Sequence, residues 1–166
     1  MLSGHLFDGR GEAAGAKLRL EDIPFNGTRA YEDLKAICAL GRRPSGSPGM
    51  AAQQKMLIEH FQKLGATVRR QDFRIRHPLD GSAVPMTNIL VQWHPESTER
   101  VLVCTHYDTL PYPLEDRQDP HGVFVGANDG GSGTALLMEL GREMANLEPR
   151  YGVDFAFNAD RRDTVE

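Results

Sequence analysis

The sequence predicts an α/β domain in which helices pack on a mixed β-sheet. Three observations predict it. Two segments near the amino terminus carry apolar residues at helical spacing, three β-rich runs follow them, and a further helical segment precedes a last apolar run. At 166 residues and 40% hydrophobic content, the chain has enough apolar material to build one core.

The first helix is predicted from Thr28 to Leu40, where Ala30, Tyr31, Leu34, Ile37 and Cys38 form a stripe; Thr28 caps its start and Gly41 ends it. A turn-rich connector, "GRRPSGSPGM", leads to a second helix with Ser47 as cap and Pro48 in first position. Its stripe is Met50, Leu57, Ile58, Phe61 and Leu64, closed by Gly65. Thr67 to Ile75 reads as a partly exposed strand, followed by strands at Thr87–Trp93 and Arg100–Thr105. The short link between these last two suits a hairpin or neighbouring strands in the sheet. A third helix runs from Ser132 to Leu147, with Leu136, Leu140, Met144 and Leu147 on one face, and Tyr151–Phe157 is the final strand.

A net charge of −4 with no basic stripe gives no electrostatic case for nucleic acid. No apolar run approaches the ~20 residues of a membrane span. Residues 1–23 form a polar lead-in without the apolar centre of a secretory signal, which points to the cytoplasm unless the true start lies upstream. The two cysteines, Cys38 and Cys104, fall on a predicted helix and strand and read as two buried free thiols.

The chemistry concentrates in "VLVCTHYDTLPYPLEDRQDPHGVFVGANDGGSGTALLMEL". A buried strand ends in His106-Tyr107-Asp108, where open α/β sheets gather their ligands. In extended chain, residues two apart point the same way, so the imidazole and the Asp108 carboxylate share a pocket. Imidazole nitrogen and carboxylate oxygen together suit zinc, and a carboxylate beside a histidine also suits an orienting role. Asp129 sits in the glycine-rich turn "GANDGGSG", which allows unusual backbone and close approach to an ion. The plainer alternatives stay open: Asn128, Asp129 or Ser132 as helix caps, and His-x-Asp as chance. His5, His60, His77, His94 and His121 read as solvated or structural, with only His121 near this loop, and "PLEDRQDP" as an exposed loop. A phosphate cradle fits less well, because no Gly-Lys-Ser/Thr follows and Asp129 would repel an anion.

"CTHYDT" followed by "VFVGANDGGSGTALLMELGREM" resembles the zinc-dependent M28 peptidase family, and within it the glutaminyl-peptide cyclotransferase branch. "FNGTRAYEDLKAICALGRRPSGSPGMAAQQKMLIEHFQKLGA" is similar to the family's first helices and connector, and "TNILVQW" to its next strand. The resemblance covers 24–157, about the first half of a family domain, and leaves 158–166 as a divergent tail. It implies a truncated M28-like α/β sandwich and a cofactor of one or two zinc ions. Asp129 corresponds to the family's zinc-binding aspartate, His106 to a ligand in the two-metal peptidases, and Asp108 to an orienting aspartate. The implied substrates are peptide amino termini, converted by cyclisation to pyroglutamate or, alternatively, by aminopeptidase hydrolysis.

The pattern breaks after Phe157. The family continues with Phe-Asp-Gly-Glu-Glu, whereas this chain reads "NADRRDTVE", which, with the strands aligned without a gap, places Arg161 and Arg162 at the glutamate positions. Asp160, Asp163 and Glu166 have no spacing that recommends them as substitutes. The sequence reading is therefore an amino-terminal piece of a zinc enzyme, ended by a frameshift, with weak or no zinc binding alone. Its rival from another class is a non-catalytic remnant or binding module. The oligomeric state is not set by the sequence.

Overall fold

Asn26, rather than Thr28, starts the first helix in the computed structural model, which describes residues 24–77, 80–144, 146 and 150–159. The Asn26 side chain accepts a hydrogen bond from the Arg29 amide at 3.0 Å, and helix α1 runs Gly27–Ala39. Thr28 has suitable hydroxyl chemistry, but an asparagine two residues earlier already satisfies the free amide. Gly41, at φ 76°, closes the helix as expected. Helix α2, Pro48–Lys63, follows the predicted plan: Ser47 Oγ accepts from the Met50 amide at 3.1 Å, behind Pro48 in the first turn. The lead-in 1–23 and the tail from 160 onward lie outside the described residues.

Strands β1 (Thr67–Arg76), β2 (Ala83–Trp93), β3 (Arg100–His106) and β4 (Gly152–Asn158) form one mixed sheet in the order β1-β2-β4-β3. β1 and β2 are antiparallel, as are β2 and β4, whereas β3 and β4 are parallel. β2 and β3 are thus not neighbours, contrary to the expectation from their short link. β4 carries the buried Phe155, Ala156 and Phe157, which suits an interior place in the sheet, and the carboxylate of Asp154 ties it to both neighbours. That carboxylate accepts from Gln92 on one side at 3.0 Å, and from Arg100 Nε and Nη2 on the other at 2.7 and 2.8 Å. The intervening strand pairs with β2 on one side and β3 on the other. The expectation that β3 is buried is also corrected. It lies at the sheet edge among the described residues, with Val101 46% and Leu102 62% exposed.

Helix α3 spans Ser132–Met144. It and α2 pack on one face of the sheet, and α1 packs on α3. The core is centred on Phe61, whose ring meets Trp93, Phe155 and Phe157 at centroid distances of 5.8, 6.2 and 5.4 Å. Gly141 lets α3 approach closely, since a Cβ there would sit 2.6 Å from the Phe61 ring. This changes the predicted α3 stripe. Thr134, Leu137, Met138, Gly141 and Met144 are buried, while Leu136 is exposed; Leu147 lies outside the described residues. The helix is sheathed on two sides, so a buried threonine and glycine replace leucines in its stripe.

The second side of α3 carries Glu139, fully buried against α1. Its carboxylate accepts from Asn26 N–H (2.9 Å), Arg29 Nε (2.7 Å), Arg29 Nη2 (2.6 Å) and Arg142 Nη1 (2.8 Å). Burial alone would raise its pKa, but the hydrogen bonds from Arg29, Asn26 and Arg142 outweigh it and hold the carboxyl below its ordinary value. The cysteines depart from expectation: both are free, but Cys38 is half-buried and Cys104 exposed. α1 keeps a solvent flank, and β3 lies at an edge. Among the described residues no helix is long and apolar enough to cross a membrane.

Candidate metal centre

His106 is the last residue of β3, opposite Asn158 at the end of β4. The chain then dives inward: Tyr107, Asp108 and Thr109 are all fully buried. Tyr107 is fastened at its far end, where its hydroxyl donates to Thr87 O at 2.6 Å and accepts from Gln54 Nε2 at 3.1 Å. Burial pushes its phenol well above the ordinary value. Thr109 is tied to the α1–α2 connector. Its hydroxyl accepts from Arg43 N–H at 2.8 Å, and its own N–H donates to Arg43 O at 3.2 Å. From the same connector Ser45 Oγ donates to Asp108 Oδ2 at 2.9 Å. The loop that carries His106 and Asp108 is thus held from three sides.

The glycine-rich turn closes over this loop. Gly126 has φ 55° and Gly130 φ 84°, and Gly131 N–H donates to Gly126 O at 3.0 Å. A Cβ on Gly130 would stand 2.7 Å from Asp108 O and 3.2 Å from His106 Cε1, so only glycine allows this approach. A Cβ on Gly133 would collide with the Thr105 hydroxyl. Ser132 Oγ donates to Asn128 O at 2.8 Å and Thr134 Oγ1 to Gly130 O at 2.7 Å, locking the turn onto the start of α3. Asp129, the residue between these constraints, points its carboxylate outward and is half exposed.

The result brings the sequence-predicted residues together. His106 Nε2 lies 3.1 Å from Asp129 Oδ1, and His106 Nδ1 lies 3.7 Å from Asp108 Oδ1. The imidazole therefore has one carboxylate at each nitrogen; the first is at hydrogen-bond distance and the second at ion-pair distance. A tetrahedral zinc with bonds of about 2.0–2.2 Å holds its donors about 3.4 Å apart, close to the His106–Asp129 separation. Donor chemistry and spacing fit the metal. The number of donors falls short, because no group of three or more His, Cys, Asp or Glu side chains able to hold a metal occurs among the described residues. Arg161 and Arg162, expected at the glutamate positions, lie outside them.

Beside Asp129 opens a cavity of about 470 Å³, walled by Leu110, Leu114 and Phe124 and rimmed by Glu115 and Asp116. His121 is exposed and stacks edge-on against Tyr112 at 5.7 Å. Residues Leu114–Pro120 form the exposed loop expected for that stretch. Sequence reasoning missed Ser45, Tyr107 and Thr109. The signal for Ser45 was Asp108 itself, since a carboxylate bound for the interior requires a donor from some polar connector.

The sequence pattern of peptidase family M28 matches residues 88–160. That segment, which carries His106, Asp108 and Asp129, is similar to peptidase family M28. Likeness to solved structures extends beyond that segment. A glutaminyl cyclase from Fimbriiglobus ruber superposes with a TM-score of 0.78 at 42% identity, over 81% of this chain and 45% of that one. A Zn-dependent exopeptidase from Parabacteroides distasonis gives a TM-score of 0.75 at 30% identity, over 81% and 47%. The glutaminyl-peptide cyclotransferase of Bos taurus is 28% identical over 114 residues, 68% of this chain and 29% of that protein. The chain thus spans about half the length of these two solved proteins and under a third of the bovine protein.

Proposed function

We propose that this chain supplies the first two ligands, His106 and Asp129, of a zinc site that processes peptide amino termini. Cyclisation of an amino-terminal glutamine to pyroglutamate is the leading reaction. The observation that carries this reading is the 3.1 Å approach of His106 Nε2 to Asp129 Oδ1 within the segment similar to peptidase family M28. The names of the Fimbriiglobus ruber and Bos taurus relatives favour cyclisation. The Parabacteroides distasonis exopeptidase favours a second reading, hydrolytic release of the first residue.

Bound zinc would supply Lewis-acid polarisation of a carbonyl oxygen. The chain's own residues prepare for it. Asp108, fixed by Ser45, stands at Nδ1 and so keeps Nε2 as the nitrogen presented to the metal. Gly130 holds the turn against the imidazole, so that Asp129 cannot drift from it. Leu110, Leu114 and Phe124 offer an apolar wall to the side chain of the substrate's first residue. Glu115 and Asp116 at the rim attract an α-ammonium group. A carboxylate for proton transfer completes either reaction, and the family's glutamates lie where this sequence has Arg161 and Arg162. Catalysis thus belongs to a fuller domain than the described residues form, and a remnant that binds without turnover is the reading from another class.

Zinc titration by calorimetry tests the site without activity. H106A and D129N are each expected to weaken zinc binding about tenfold or more; unchanged affinity in both would overturn the proposed ligands. A glutamine-initial peptide then separates the reactions: ammonia marks cyclisation, a free amino acid marks hydrolysis, and neither product marks the remnant.

A further inference from the structure

Among the described residues β1 is the other edge of the sheet, away in sequence from the candidate metal centre. Eight of its ten residues are exposed. It carries Arg69, Arg70, Arg74 and Arg76 against the single acid Asp72, within a chain whose net charge is −4. Asp72 is committed to Arg70 at 2.8 Å. Among the described residues Arg69, Arg74 and Arg76 have no ion-pair partner. No strand pairs with the outer side of β1 among the described residues either. Beside it runs an open groove of about 380 Å³ between β1 and the start of α2, lined by Met50, Pro85, Arg70, Asp72 and Arg74, while Phe73, 37% exposed, stands with its partner Met86 on the opposite face of the strand.

Arginines on an edge strand discourage self-pairing, and that role alone would explain their charge. It does not explain Phe73, a large apolar side chain left 37% exposed on the same strand. A second copy of this chain is an unsuitable occupant, because pairing two β1 edges would oppose arginine to arginine. We propose that the outer edge of β1 and this groove together dock an extended acidic peptide by strand addition. The peptide backbone pairs with the open N–H and C=O groups of β1, its carboxylates meet Arg74 and Arg76 on one face of the strand, and an apolar side chain lies against the exposed Phe73 on the other. The surface is independent of the zinc reading and stands or falls without it.

Fluorescence anisotropy of labelled peptides on the full chain tests the docking. The probe is a peptide of alternating glutamate and valine matched to the ten residues of β1. It is expected to bind about tenfold or more tighter than its lysine–valine counterpart, and by the same margin tighter than an acidic peptide interrupted by proline. R74E/R76E is expected to lose about tenfold in affinity with an unchanged circular-dichroism spectrum. Hydrogen exchange in β1 is expected to slow on binding. Equal binding of the proline-interrupted peptide would overturn strand addition, and equal binding of the lysine peptide would overturn the charge match. Competition by a single-stranded oligonucleotide of equal charge would show a general polyanion surface and overturn the proposal as well.

Discussion

Replacing Gly130 by alanine tests how tightly the glycine-rich turn presses on the histidine loop. Two costs are separable. At φ 84° a side chain is strained by about 1–2 kcal/mol. The new Cβ would also meet Asp108 O at 2.7 Å and His106 Cε1 at 3.2 Å. The first of these is backbone and cannot swing aside, so relieving it costs about 1–2 kcal/mol more. The expected total is about 3 kcal/mol, or a fall in Tm of about 6–12 °C for a chain of this size. Gly65 provides the control, with φ 81° and nothing within 4 Å of an added Cβ; G65A carries only the backbone cost of about 1–2 kcal/mol. Urea unfolding followed by the fluorescence of Trp93, the chain's single tryptophan and a core residue, reads both variants. Equal losses in G130A and G65A would refute the close approach on which the His106–Asp129 geometry depends.

Substituting Glu139 by glutamine is expected to destabilise the α1–α3 contact by about 2–3 kcal/mol, because Arg29 and Arg142 lose a buried charged acceptor. The same carboxyl lies below its ordinary value when folded, so the unfolded chain takes up its proton first as pH falls. Its stabilisation is present above the unfolded pKa of about 4.3 and is lost as pH drops through the lower folded value. E139Q should therefore narrow the gap between urea midpoints at neutral pH and pH 4. Tyr107→Phe leaves Thr87 O and Gln54 Nε2 without the buried hydroxyl between them, and is expected to cost about 1–3 kcal/mol in a thermal melt; no change would mean that water replaces it freely.

The helices and strands were largely legible because their signals are local. Ser47 and Pro48 open α2 by chemistry that acts within one turn, and Gly41 and Gly65 adopt the positive φ that ends a helix. Strand order was not local. Asp154 draws in both Gln92 and Arg100 from distant parts of the chain, and nothing in the β2–β3 link announces a third strand between them. The α3 stripe misled for a related reason: a helix covered on two sides buries Thr134 and Glu139 as well as leucines. At the site, residue identity pointed to His106, Asp108 and Asp129, and the glycines pointed to a close turn. The props were hidden. Ser45 lies 63 residues from Asp108, and its connector reads as punctuation until the fold brings the hydroxyl to the carboxylate.

The place of β4 bears on how a nascent chain reaches this form. Among the described elements, the strand that joins the antiparallel half of the sheet to β3 is the last to be made, starting at Gly152. While it is still inside the ribosome, β3 has no seat beside β2, and Phe61 lacks the rings of Phe155 and Phe157. Assembly waits on a late keystone whose pairings span roughly 50 to 70 positions, an arrangement that favours slow, all-or-none closure over growth from the amino end.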